Sequence, residues 1–520
     1  MKPVKIPSGS LARTGTARRV SVLRLLLVIA VVGGVIAAGT QWALARYAAS
    51  KQQPPTTWFA PYVDVTLTPT FHFEDPAGEP ASDVVLAFVV ADPTDNCLPS
   101  WGTYYSLDAA ARALDLDRRV VRLRERGGDA MVSFGGALNN ELSTVCTDPT
   151  RLAAAYQSVI DRYGLTAIDF DIEGTSLADQ AANARRTTAI QQLEAKNKGL
   201  AVWLTLPVDP NGLTADGLSL IDQTLQAGVS IAGVNAMTMD FGSSRPAATS
   251  MEAAVALALN ATWQQLSSAY AGAGKPQTPA NVWKMIGATP MIGQNDVVAD
   301  VFTPADADAL IQFAKSVNLG RLSLWSANRD GACGAGASDP RVSNTCSGVA
   351  QQSLEFSRIF GGPARTQPVP TAVPDTTPEN GSPVAQDDPR TSPYPIWRAA
   401  KAYETDAKVV WQGRVYQAKW WTQGDQPDAP VKHVWDTPWR YLGPVLESDR
   451  QAVIAGNAVS DGSTTPWAAE KVYIAGDEVE YTGDIFRAKW WTQGDTPEEA
   501  PDQPYDAPWT YLGKSSTTPK

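Results

Sequence analysis

The sequence predicts an α/β protein: a (β/α)8, or TIM, barrel over residues 57–362, with two small all-β modules behind it. Three observations lead there. Eight short apolar runs, most of them separated by helical patterns, span about 300 residues, the rhythm of a barrel of parallel strands. Within Ile168–Gly174 the acids Asp169, Asp171 and Glu173 occupy alternate positions of one such run. Finally, Ala418–Asp425 recurs unchanged as Ala488–Asp495, 70 residues later.

The elements follow in chain order. Lys2, Lys5, Arg13, Arg18, Arg19 and Arg24 form a basic lead over residues 1–24. Residues 25–45 are apolar except for Thr40 and Gln41, long enough for a transmembrane anchor or an export signal. Positive charge ahead of the run predicts that the chain beyond it lies outside the cytoplasm. The long lead favours an uncleaved anchor, whereas Ala43-Leu44-Ala45 offers a cleavage site that would release the protein, and Arg18-Arg19 fits a twin-arginine signal less well. Residues 46–56 read as a stalk.

Barrel strands are expected at Phe59–Val65, Val84–Val89, Ala130–Phe134, Ala167–Ile172, Ala201–Leu206, Gly233–Met237, Lys284–Gly287 and Arg321–Leu324. Helices are expected at Leu107–Arg126, Thr150–Tyr163, Leu177–Lys198 and Met251–Ala271. The first connection, residues 66–82, lacks a helical pattern. Residues 363–393, rich in Pro, Thr and Asp, read as an extended linker. The modules span 394–443 and 466–513, with a polar spacer at 444–465.

Composition narrows the chemistry. A net charge of -11 argues against a nucleic-acid partner. The two histidines, His72 and His433, lie far apart and read as surface or packing residues, so zinc sites and Ser-His-Asp triads are disfavoured. Cys97, Cys146, Cys333 and Cys346 show no CxxC spacing, so no metal is expected, and no cofactor is implied. The favoured pairing is Cys97–Cys146 and Cys333–Cys346, since the latter closes a short Gly/Ser/Asn-rich loop; free thiols are the alternative. The 17 tryptophans suggest stacking surfaces, for packing or for sugars.

Alternate strand residues share a face. Asp169, Asp171 and Glu173 therefore point one way, and Phe170 and Ile172 the other. Crowded, desolvated acids raise the pKa of at least one carboxyl, which is what a general acid needs near neutrality. In barrels the active site lies at the C-terminal ends of the strands. Ser133-Phe134-Gly135-Gly136 ends strand three, Asn235–Asp240 ends strand six, and Trp325 ends strand eight, where it can floor a sugar pocket.

With these residues in place, 57–362 resembles glycoside hydrolase family 18, the chitinase family. Asp169-x-Asp171-x-Glu173 matches its DxDxE signature and Ser133-x-Gly135-Gly136 its SxGG; Met237–Asp240 and Leu324–Asp330 resemble the bacterial branch. The resemblance implies Glu173 as proton donor and Asp171 as the group orienting the substrate's N-acetyl group and stabilising an oxazolinium intermediate. It implies Asp169 as modulator of Asp171, with Trp325, Met237, Asp240, Ser133, Gly135 and Gly136 at the substrate. Carboxylates on one face suit substrate assistance, whereas ordinary glycosidases place two at least about 5 Å apart across the bond. The chain departs from the pattern where Thr166 replaces a fourth acid and Met239 replaces the strand-six tyrosine; Tyr62 and Tyr104 are the candidates to supply that hydroxyl, and Asp240 the alternative to take over its polar contacts. Trp203 and Trp283 read as packing residues.

Each repeat resembles carbohydrate-binding module family 5/12, the chitin-binding type. Tyr473, Gly476-Asp477, Val479, Tyr481, Gly483, Phe486, Ala488–Asp495 and Trp509 carry the likeness. The first copy is weaker: Asp406-Ala407-Lys408 replaces the Gly-Asp turn and Trp411 replaces Tyr481. In each Trp-Trp pair (Trp420-Trp421, Trp490-Trp491) one ring is expected in the core and one on sugar, the two being adjacent in a strand. Trp397, Trp439, Trp467 and Trp509 are expected in the small cores. The resemblance implies retaining hydrolysis of chitin; an endo-β-N-acetylglucosaminidase and a non-catalytic chitin-binding surface protein are the alternatives.

Overall fold

The computed structural model describes residues 58–76, 83–334, 342–361, 387, 392–433, 435–450, 465–469, 471, 473, 476–489, 492, 494–497 and 508–514. The N-terminal segment and most of the 363–393 linker lie outside the described residues. Among those described, no helix is long and apolar enough to cross a membrane.

Eight parallel strands close a barrel. We label them β1 (Trp58–Phe59 continuing as Tyr62–Asp64), β2 (Val84–Ala91), β3 (Ala130–Gly135), β4 (Ala167–Asp171), β5 (Ala201–Asp209), β6 (Gly233–Met237), β7 (Ile286–Thr289) and β8 (Arg321–Leu322). Each pairs with its successor, and β8 returns to β1 through Trp58 opposite Arg321. Strand alternation sorts the side chains. Ile168, Phe170 and Ile172 join the large apolar cluster between sheet and helices, whereas Tyr62, Val85, Ala87, Met131 and Trp203 form a second cluster. Asp169 and Asp171 project from β4 on the side opposite Ile168 and Phe170.

Two expected elements shift. Lys284 closes a short helix, Pro279–Lys284, instead of opening β7. Thr278 caps that helix and Pro279 fills its first turn, a strong local start signal. The single helix expected over Leu107–Arg126 is two, Leu107–Ala113 and Leu116–Glu125, broken where Asp115 adopts φ +52°. Cys97 is bonded to Cys146 and Cys333 to Cys346. Trp203 and Trp283 pack against Trp58 and Trp263 respectively.

The first module folds as a three-stranded antiparallel sheet, Lys408–Trp411, Arg414–Ala418 and Trp439–Pro444, with a two-stranded sheet of Ala402–Tyr403 and Thr422–Gln423. Trp397, Tyr403 and Trp439 fill its core. The second repeats the pattern with Glu478–Tyr481, Asp484–Ala488 and Trp509–Lys514 around Tyr473, Phe486 and Trp509, and Trp467 packs against that core. Both middle strands carry a bulge at the same place. Trp420 and Trp421 correct the expectation of one buried and one exposed ring: they sit in a bend after Ala418, not in a strand, and are 44% and 54% exposed. Trp490 and Trp491 lie outside the described residues.

Candidate active site

The strand register builds the site. Ser133 on β3 stands opposite Asp169 on β4, and Gly135 opposite Asp171; on the other side Asp171 faces Thr205 of β5. Asp169 is fully buried and accepts from four side chains. Its Oδ2 takes the hydroxyls of Tyr62 (2.8 Å) and Ser133 (2.7 Å), and its Oδ1 takes Thr205 (2.7 Å) and a guanidinium nitrogen of Arg321 (3.0 Å). Asn235 extends this network to β6 and, through Thr289 at 2.7 Å, to β7. Seven strands thus contribute to one polar layer, with a buried Arg–Asp pair where branched aliphatics usually pack.

Asp171 has no such support. Its Oδ1 is buried with no hydrogen-bond partner. Burial first, then the charges of Glu173 and Asp169, push its pKa well above the usual carboxylate range, against the lowering pull of Arg321. Glu173 begins the helix Gly174–Ala178 at the barrel mouth. Burial, reinforced by Asp240 and Asp296, raises its pKa to about 7. Asp240, at φ +51° in the loop after β6, accepts from the Val297 N–H at 2.8 Å; burial and the nearby Asp296 raise its own pKa.

Trp325 is half-buried at the end of the β8 segment, stacked on Phe88 at 5.3 Å and edge-on to Tyr62. Asp171, Glu173, Asp240 and Trp325 are therefore brought to one end of the barrel, above the buried Asp169. Met237 and Met239 are half-buried at the end of β6.

Three residues expected at the substrate have another task. The Ser133 hydroxyl is fully buried and bonded to Asp169, so it positions that carboxylate. A Cβ on Gly135 (φ +105°) would stand 2.1 Å from the Asp171 carbonyl, and one on Gly136 (φ +86°) 2.8 Å from the Phe88 ring. Both glycines make room for the protein itself. Gly135→Ala is expected to lower unfolding free energy by about 2–4 kcal/mol, from strain and overpacking together, as read by urea denaturation. Of the candidates to make up for the strand-six tyrosine, Tyr62 is bonded to Asp169 inside the barrel, Tyr104 is 76% exposed, and Asp240 lies in the loop after β6.

Thr205, Arg321, Asp296 and Arg329 were not singled out from the sequence. Arg321 carried a signal, as a cation inside an apolar strand. Arg329 is 1% exposed, two of its nitrogens lack partners, and burial lowers its pKa to about 10 despite Asp296 and Asp240. Among the described residues no cluster of His, Cys, Asp and Glu could hold a metal ion. His72 bonds Glu74 and Arg440, and His433 stacks on Trp435.

Comparison with known proteins adds three findings. The pattern of carbohydrate-binding module family 5/12 matches residues 396–440 and 466–510. The chain is 37% identical over 292 residues to a probable bifunctional chitinase/lysozyme of Escherichia coli (strain K12), covering 55% of this chain and 32% of that protein. It is 36% identical over 293 residues to endochitinase 11 of Metarhizium anisopliae, covering 55% of each. The chain therefore spans about a third and about half of the lengths of these relatives. Among solved structures, the catalytic domain of a hyperthermophilic chitinase from Pyrococcus furiosus aligns with a TM-score of 0.52 at 30% identity, over 59% of this chain and 94% of that one.

Proposed function

The chain belongs to glycoside hydrolase family 18, the chitinase family, and on that premise we propose that it hydrolyses β-1,4-linked N-acetylglucosamine polymers with retention. The observation that carries the reading is the division of labour among the three acids at the end of β4. Asp169 accepts from four donors, Asp171 keeps a buried oxygen free, and Glu173 has a pKa of about 7.

In this mechanism Glu173 gives its proton to the glycosidic oxygen. The substrate's acetamido oxygen attacks the anomeric carbon, and Asp171 holds the acetamido N–H while positive charge develops there. Glu173, now a carboxylate, takes a proton from the water that opens the oxazolinium ring, so proton and charge return to their starting places. Trp325 stacks beneath the sugar. Trp420 and Trp421 of the first module, and Trp490 and Trp491 of the second, bind polymer, and two weak sites on one chain strengthen holding through effective concentration. Two disulfides fit an oxidising compartment, so we place the enzyme outside the cytoplasm, anchored by its apolar N-terminal segment or released from it.

Product release from colloidal chitin by the wild type and by Asp171→Asn tests the reading. Strong loss in the variant is expected; equal rates would overturn it. The pH profile adds a signed check. Glu173 must be protonated, so kcat/KM on a soluble oligomer falls as pH rises through about 7. Asp240 raises that pKa, so Asp240→Asn shifts the alkaline limb to lower pH.

A further inference from the structure

The first module is seated on the barrel through buried charges. Asp115, 1% exposed, makes no cap bond to the helix it precedes. Its Oδ1 accepts from Arg118 Nε at 2.6 Å and from the Tyr394 hydroxyl at 2.7 Å, and its Oδ2 from Lys408 Nζ at 2.6 Å. Tyr394 and Lys408 belong to the module. Arg118, 3% exposed, continues to the Pro444 carbonyl and to both carboxylate oxygens of Asp449, each at 3.0 Å. A second chain of contacts runs from Arg440 to His72 (2.7 Å), on to Glu74 (2.8 Å) and then to Arg119 (2.9 Å). The Arg122 guanidinium lies 4.5 Å from the centre of the Tyr441 ring. Gly443, at φ +140°, lets the module's last strand approach so closely that a Cβ there would be 2.6 Å from the Arg118 carbonyl.

The second module is an internal control, since it has the same strands at an offset of 70 residues. Lys408 corresponds to Glu478, Tyr394 to Thr464 and Arg440 to Thr510. Leu442 is 2% exposed, whereas its counterpart Leu512 is 41% exposed, and Tyr511, the counterpart of Tyr441, is 53% exposed. Gly513 keeps the backbone of Gly443, φ +135°, with nothing within 4 Å of an added Cβ. The module fold therefore does not require the charges of the first copy. They also explain why that copy carries Lys408 where the second carries Glu478. Opening such a contact would leave Asp115 and Arg118 without their partners across it, which is costly for groups this buried.

We infer that the two modules divide the work: the first is a fixed arm of the catalytic body, docked on Leu116–Glu125, and the second lacks the docking residues. Asp115 marks the end of that helix nearest the catalytic face, because the helix leads into the start of β3. Docking therefore holds the exposed Trp420, Trp421 and Trp435 at a constant offset from the cleft. The fixed arm favours polymers long enough to occupy cleft and module together, and short oligomers gain nothing from it. This substrate consequence rests on the proposed polysaccharide reading; the docking does not.

The test uses the full chain with spin labels at Thr188→Cys on the barrel and Gln426→Cys on the first module. The wild-type background is expected to give one narrow distance distribution. Lys408→Glu with Arg440→Thr, which copies the second module, is expected to broaden it. Gly443→Ala should do the same, whereas Gly513→Ala, with the same backbone strain, should not. A broad distribution in the wild-type background, or a narrow one in both docking variants, overturns the proposal. In activity, Lys408→Glu with Arg440→Thr should leave short soluble oligomers unaffected and lower turnover of insoluble polymer by about tenfold, a modest share of what linked sites contribute. Equal rates on polymer would overturn the functional part. The distance measurement needs no catalysis, so a failure of the hydrolase reading would leave it intact.

Discussion

Glu173→Gln is expected to lower kcat by about 10²–10⁴-fold, the contribution of a positioned general acid, with little change in stability or in binding to polymer. The amide keeps the shape and cannot donate the proton. Asp240 is the nearby alternative acid, but its loop already uses it to accept the Val297 N–H. The loss should therefore persist at every pH, and it should appear in single-turnover rates on a short soluble oligomer. Full activity in this variant would move the proton donor elsewhere and remove the basis of the mechanism.

Arg321→Met is expected to cost about 3–5 kcal/mol of unfolding free energy, because it strands a buried carboxylate. Asp169 would keep three neutral hydroxyl donors and lose its only charged one among the described contacts. The cation that lowers the Asp171 pKa would also be gone, so Asp171 would be ionised only at higher pH than in the wild type. Arg321→Lys keeps a cation and should recover part of both effects. Denaturant unfolding measures the first, and the acid limb of the pH profile measures the second.

Much of this was legible in the sequence for identifiable reasons. Strand alternation placed Asp169 and Asp171 together because a period of two leaves no other choice once Phe170 and Ile172 are buried outside the barrel. Arg321 was not legible as a partner of Asp169, because the two lie 152 positions apart and meet only when the barrel closes. Trp420 and Trp421 were misjudged because a bend frees two neighbouring rings to face solvent, whereas a strand cannot. The docking of the first module left its trace as a difference between the repeats, Lys408 against Glu478, whose reason lies at Asp115, 293 residues earlier.

The retaining, substrate-assisted reaction is tested most directly by the anomeric form of the first product. Proton spectra recorded within the first turnovers of a chito-oligomer should show the β-anomer of the new reducing end ahead of mutarotation. An α-anomer appearing first would mean direct attack by water, with a base across the bond, and would contradict the assignment of Asp171 and Glu173.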